Sequence, residues 1–338
     1  MAAKRSRRTM TLAIQRFDRT AALHTGRVPI DDVFVMHAPP RTSVEGLASG
    51  TFDAAEMPLA RYVFLRERGE PLTAIPVFPD RIFVQQYVLT RPDSGIRSPA
   101  DLRGRRVLLP GYFITASLWH RGMLKDDFGI LPQDIEWRTV SPERDPRMRP
   151  PAGVNASQVP KTELDTEQLL NGTVDAMMME STQLVPPGQE NNVVHVHRDV
   201  ETVQREFYRK THFHPIVHII AIRQQAADER PELIAELCEA FDQAKEAAYR
   251  ALQNERLTSL PFMRTYLNET RALFGDDPWP YGLERNWAEL DQMLAYAHDQ
   301  GLTEQRLSPE RLFDPPARDF QFKARMRHGS DPWFIPAL

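Results

Sequence analysis

Short apolar runs alternate along the chain with stretches of helical periodicity. The runs at 11–15, 33–36, 82–90, 106–109 and 216–222 read as strands. The clearest helix is expected over 231–253, where Leu233, Leu237, Phe241, Ala244, Ala248 and Leu252 fall on one face and Pro231 stands in the first turn. Cys238 lies beside that stripe, which makes it a buried small hydrophobe rather than a nucleophile. Strands that alternate with helices predict an α/β architecture with a largely parallel sheet.

Punctuation refines this picture. The segment 98–111 is a capped turn, a glycine stop and then a strand, so a new folding unit opens near 91–98. The proline-rich, charged stretch 141–160 has neither period and reads as a long surface excursion. A glycine turn at Gly172 precedes a short strand, 193–197 is extended, 200–210 is helical, and 216–223 is a return strand. Leu109 to Thr115 forms a strand-to-helix turn leading into a helix that runs through Met123.

At 338 residues, with 41% hydrophobic and 26% charged positions, the chain has core material for two lobes. Forty-two basic against 46 acidic side chains give a net charge of −4, so no basic footprint points to nucleic acid, and a small-molecule partner fits better. The basic start of the chain breaks into further charge at 15–19 before any apolar signal region develops, and no run approaches the ~18 apolar residues of a membrane span. With Cys238 as the only cysteine, neither an intrachain disulfide nor a multi-thiolate zinc site can form. A cytoplasmic protein without membrane contact is expected, and self-association is left open.

The order strand, Asp101-Leu-x-Gly-x-x-Val, strand, helix, Gly172-x-Val-Asp-Ala, return strand and long helix is similar to that of type II periplasmic binding proteins. Phe52-Asp-Ala-Ala-Glu-Met, Ile75-Pro-Val-Phe-Pro-Asp-Arg-Ile-Phe, the segment 95–104 and Trp119-His-Arg-Gly-Met-Leu carry a closer resemblance to the 4,5-dihydroxyphthalate decarboxylase family. So do the C-terminal segments 274–286, 296–302 and 309–313, and the likeness runs from Leu12 to Pro315. The resemblance implies an α/β, two-lobed periplasmic-binding-protein type II fold, with mixed sheets flanked by helices and a ligand cleft between the lobes. Lobe I would comprise 1–92 and 217–338, the latter carrying a helical tail, and lobe II 93–216. It also implies cofactor-free decarboxylation of a hydroxylated aromatic acid, a small carboxylate partner and a protocatechuate-like product. The chain departs from the family at Val84-Gln85-Gln86, Arg138 to Asp145 and Met179-Glu180-Ser181-Thr182.

Losing carbon dioxide without a cofactor makes the ring its own electron sink, which calls for an acid and a base near neutrality and cations to orient carboxylates. His218, which matches a family histidine, is the candidate proton donor or base, with hydrogen-bonded structural service as the alternative. Arg81 and Glu56, both inside family-like motifs, are the other catalytic candidates. Glu56 could equally pair with an arginine. Arg16 and Arg19 follow the first strand and could each clamp a carboxylate, stay solvated or pair with Asp18. Thr115 would cap its helix beside amides that could hold an anion. Gln86 and Glu180 stand where the family pattern is lost. Trp279, with Tyr281, could wall an aromatic ligand or dock the tail.

His212, His214 and His218 share a face if their segment is extended, and with Glu180 they offer an alternative divalent metal site. No metal is otherwise expected. His120 and Arg121 read as packing residues, and His195 and His197 as a solvated strand face. The rival function is a non-catalytic binding protein for a small anion or aromatic acid.

Overall fold

The computed structural model describes residues 8–143, 145–160, 162, 165–179 and 188–326. Strands β1 (Met10–Ile14), β2 (Val33–His37), β3 (Ala54–Pro58), β4 (Leu72–Ile75), β5 (Val88–Thr90), β6 (Arg106–Leu109), β7 (Glu136–Thr139), β8 (Ala156–Gln158), β9 (Ala176–Met178), β10 (Val194–His195) and β11 (His218–Arg223) form two sheets. The first has the order β2-β1-β3-β11-β4 and the second β10-β5-β9-β6-β7-β8. The chain therefore enters the second sheet with β5 and returns to the first with β11. Both sheets are mixed. β1 runs parallel to β2 and β3, whereas β11 runs antiparallel to β3 and β4, and β5 antiparallel to β9 and β10.

The helices are α1 (Asp18–His24), α2 (Pro40–Ser49), α3 (Leu59–Glu67), α4 (Thr115–Phe128), α5 (Thr166–Leu170), α6 (Val200–Thr211), α7 (Gln224–Glu229), α8 (Leu233–Gln253), α9 (Met263–Phe274), α10 (Leu283–Asp299) and α11 (Pro315–Arg318). In α8 the expected apolar face is buried from Leu233 to Ala248, Leu252 is half-buried, and the helix packs on α1. Cys238 is fully buried, and burial pushes its thiol up. No helix among the described residues is long and apolar enough to cross a membrane.

Two expectations need correction. The run 82–90 is a strand only over β5, because Val84–Tyr87 coils into a 3-10 turn where the chain crosses from one sheet to the other. The stretch 141–160 is not a featureless excursion. It buries Met148 and Val159 and supplies β8, an edge strand with exposed polar side chains that leaves no apolar signal.

The tail binds the two sheet layers together through α10, which packs on α4. Tyr296 lies edge-on to Trp119 with ring centroids 5.6 Å apart, and its hydroxyl donates to Asp126 over 2.5 Å. Gly122 makes this approach possible, since a Cβ there would stand 2.3 Å from the Tyr296 ring. Gly122→Ala is therefore expected to destabilise the protein by about 1–3 kcal/mol through overpacking. Urea denaturation would show it as a lower midpoint at unchanged slope.

Candidate active site

β3 reads Ala-Ala-Glu-Met-Pro and is buried along nearly its whole length, so Glu56 enters the interior as the one ionisable group of that strand. In the antiparallel pairing Pro58 opposes His218 and Ile220 opposes Glu56. Glu56 and His218 are thus diagonal neighbours whose side chains leave the same face of the sheet. The result is a short contact, His218 Nδ1 to Glu56 Oε1 at 2.6 Å. Gln15, the residue after β1, completes the carboxylate's coordination. Its backbone N–H donates to Oε2 over 2.9 Å and its side-chain amide to Oε1 over 2.8 Å. The cluster lies at the carboxyl ends of β1 and β3, where ligand crevices open in α/β sheets.

A second carboxyl stands beside the same imidazole. Asp80 Oδ2 is 3.6 Å from His218 Nδ1, and the Asp80 carbonyl accepts from the Val217 and His218 amides. The two acids are driven apart. Burial pushes Glu56 up, but the His218 contact and the Gln15 bonds outweigh it and leave the carboxyl below its ordinary value. For Asp80 burial dominates, and its carboxyl ends above its ordinary value despite His218. Two carboxyls shifted in opposite directions around a single histidine form the kind of environment in which acid and base roles separate.

The two arginines of the first loop behave differently. Arg19 is held in place. It donates from Nε to the Pro79 carbonyl over 2.6 Å, pairs with Asp18, and lies 3.8 Å above the Trp279 ring and 4.2 Å above Phe17. Arg16 is exposed and makes no side-chain hydrogen bond or ion pair among the described residues. Trp279 is half-buried, donating from its indole N–H to the Phe78 carbonyl over 2.7 Å. Its face is covered by Arg19, so it docks the tail against the first loop rather than presenting that face to a ligand.

Arg81 is corrected from a catalytic to a structural place. Its side chain is fully buried. Nη1 donates to the His214 carbonyl and to Glu289, and Nη2 to the Pro280 carbonyl and Asn286, so all four terminal donors are engaged by protein. Thr115 is likewise corrected, for its hydroxyl accepts from the Ala60 amide over 3.1 Å and thus caps α3 rather than its own helix. Just ahead of α4, rather than at the first-turn amides expected to hold an anion, two backbone N–H groups are taken by a carboxylate of the chain itself. Glu143 Oε1 accepts from the Phe113 amide over 3.0 Å, the Tyr112 amide bonds the same carboxyl, and burial pushes it up.

The three histidines of the alternative metal site do not converge. His212 is exposed at the left-handed end of α6, with φ 58°, and meets Tyr208 edge-on. His214 stacks on Phe83 at 4.5 Å. Glu180 lies outside the described residues, and among those described no group of His, Cys, Asp and Glu is placed to hold a metal ion. Gln86 is half-buried on the 3-10 turn. His195 is exposed as expected. His197 is half-buried and lines a cavity, and burial lowers its imidazole to about 4.

Sequence reasoning missed Asp80, Gln15 and Glu143. Asp80 was within reach, since it adjoins Arg81 in the family-like Phe-Pro-Asp-Arg run. Gln15 acts half through its backbone, and Glu143 sits in a segment without periodicity.

Comparison with known proteins bears on this arrangement. A protein of Comamonas testosteroni named 4,5-dihydroxyphthalate decarboxylase is 31% identical over 321 residues, covering 92% of this chain and 97% of its own. One of the same name from Pseudomonas putida is 29% identical over 209 residues, covering 59% of this chain and 81% of its own. Residues 30–194 match a family described as ABC transporter, phosphonate, periplasmic substrate-binding protein. The alkanesulfonate-binding protein of Xanthomonas axonopodis pv. citri, solved with MOPS bound, shares the fold at a TM-score of 0.51 and 14% identity, over 91% of this chain and 96% of that one.

Proposed function

The chain belongs to the 4,5-dihydroxyphthalate decarboxylase family and is a carboxy-lyase, and from that premise we propose that it decarboxylates a hydroxylated aromatic carboxylate at the Glu56–His218 cluster. The substrate class is that of 4,5-dihydroxyphthalate, with a protocatechuate-like product. The 2.6 Å contact between the carboxylate and the imidazole carries the reading.

The hydroxyl para to the departing carboxylate gives up its proton to a base, and its electrons enter the ring. The carbon bearing the carboxylate takes a proton, which makes a dienone. The bond to the carboxylate then breaks, its electron pair restores the aromatic ring, carbon dioxide leaves, and the dienone oxygen, now a phenolate, takes back a proton. One proton is consumed overall. A histidine whose Nδ1 is held by a carboxylate has a set orientation and tautomer and exchanges its proton through the other ring nitrogen. Glu56 thus positions and polarises His218, and the Asp80 carboxyl, pushed up by burial, stands beside the same ring.

Arg16, unengaged among the described residues at the end of β1, is the cation offered to a substrate carboxylate. Arg16→Ala is expected to raise KM about tenfold, equivalent to ~1.4 kcal/mol of lost binding, with kcat within about twofold. An unchanged KM would remove it from the site.

The test of function is carbon dioxide release from a panel of mono- and dihydroxylated benzoates and phthalates. Turnover of a para-hydroxylated member and none of its deoxy counterpart is expected. Tight binding of such acids without release of carbon dioxide would favour a binding protein, the common use of this fold among its solved neighbours.

A further inference from the structure

Helix α9 carries a face that the other described residues leave largely open. Met263, Tyr266, Leu267, Thr270 and Phe274 recur at spacings of three and four and line a cavity of about 420 Å³ between α9, α8 and the segment 278–279. Of α9 only Leu267 is buried, and Tyr266 is 55% exposed. Just ahead of the helix Leu257, Leu260 and Phe262 are exposed as well, the last of them 68%. The charged side chains that border the cavity are already paired, Arg19 with Asp18 and Lys245 with Asp277, so an apolar occupant is favoured.

The chain itself is led to this groove. Met326, the last of the described residues, is 3% exposed and packs with Tyr249 and Leu267. Its N–H donates to the Asp276 carbonyl over 2.7 Å, and its carbonyl accepts from Arg271, one turn past Leu267, over 3.2 Å. After it the sequence reads Arg327-His-Gly-Ser-Asp-Pro, a short polar stretch, and then Trp333-Phe-Ile-Pro-Ala-Leu, a run without a charge. A chain of seven residues spans at most about 25 Å. Phe262 lies only about 14 Å along the helix axis from Arg271. Trp333 can therefore reach any point of the open face. A segment tethered this closely has an effective concentration on the order of millimolar, which favours it over a second copy of the chain.

We infer that the α8–α9 groove is the docking surface for residues 333–338 of the same chain, whose apolar side chains cover Phe262, Tyr266 and the cavity behind them. The inference does not depend on the activity proposed above.

Hydrogen exchange on the intact chain tests it. The amides of Trp333, Phe334 and Ile335 are expected to exchange at least tenfold more slowly than in a synthetic peptide of residues 327–338. Tyr266→Asp, at an exposed position outside the core, should abolish that protection. A variant stopped after Met326 should bind the peptide saturably, and the intact chain should not. Exchange as fast as in the free peptide, protection untouched by Tyr266→Asp, or equal binding of the peptide by the intact chain would overturn the inference. Protection that grows with protein concentration would overturn it in favour of a second copy.

Discussion

His218→Asn is expected to lower kcat by about two to four orders of magnitude, the range of a removed general acid or base. Asparagine is chosen because its amide N–H falls near the position of Nδ1 and can still donate to Glu56, which is fully buried and would otherwise lose a partner. The loss should appear in kcat at little change in KM, with a thermal midpoint close to that of the parent. Glu56→Gln, which removes the charge and keeps the shape, should lower kcat less, since it acts through the orientation and basicity of the imidazole. If turnover by His218→Asn stays within tenfold of the parent, the cluster is not the reacting centre.

Arg81→Ala is expected to fail in a different way, by about 3–5 kcal/mol of stability, because it leaves a buried acid without its cation. Glu289 accepts from Arg81 over 3.1 Å and from the Ile216 amide over 2.7 Å, and burial already pushes its carboxyl from 4.5 up to about 7. The sign of the pH dependence follows. A carboxyl raised in the folded state favours folding below its unfolded value of about 4.5, and that advantage is lost as pH rises through its folded value. In the parent this loss runs from about pH 4.5 to 7. Without Arg81 the folded value rises further, so the deficit of the variant should grow above pH 7. Adding Glu289→Gln should recover part of the stability and flatten that slope. Denaturant titrations at pH 6 and 8 would measure both. A variant as stable as its parent but inactive would return Arg81 to the catalytic centre.

Much of the architecture was legible in the chain because it is local. Period two and period 3.6 mark strands and helices wherever one face is buried, and the face of α8 from Leu233 to Ala248 and the burial of Cys238 follow from that alone. Local rules failed where the signal was weak or the chain changed sheets. β8 has no apolar alternation, and the 82–90 run spends its first half on a crossover turn.

The site divides along the same line. Family-like motifs singled out Glu56 and His218 separately, and strand alternation gives each a face. That the two faces coincide depends on the register of β3 against β11 across 162 residues, which no local pattern encodes. The sequence offered Arg81, Thr115 and a free amide cradle as contacts for a substrate. The tertiary structure assigned Arg81 to Glu289 and the tail and Thr115 to Ala60, and set Glu143 on the Tyr112 and Phe113 amides just ahead of α4. A side chain's chemistry is set by its residue type, but whether its donors are available depends on what long-range packing places against them.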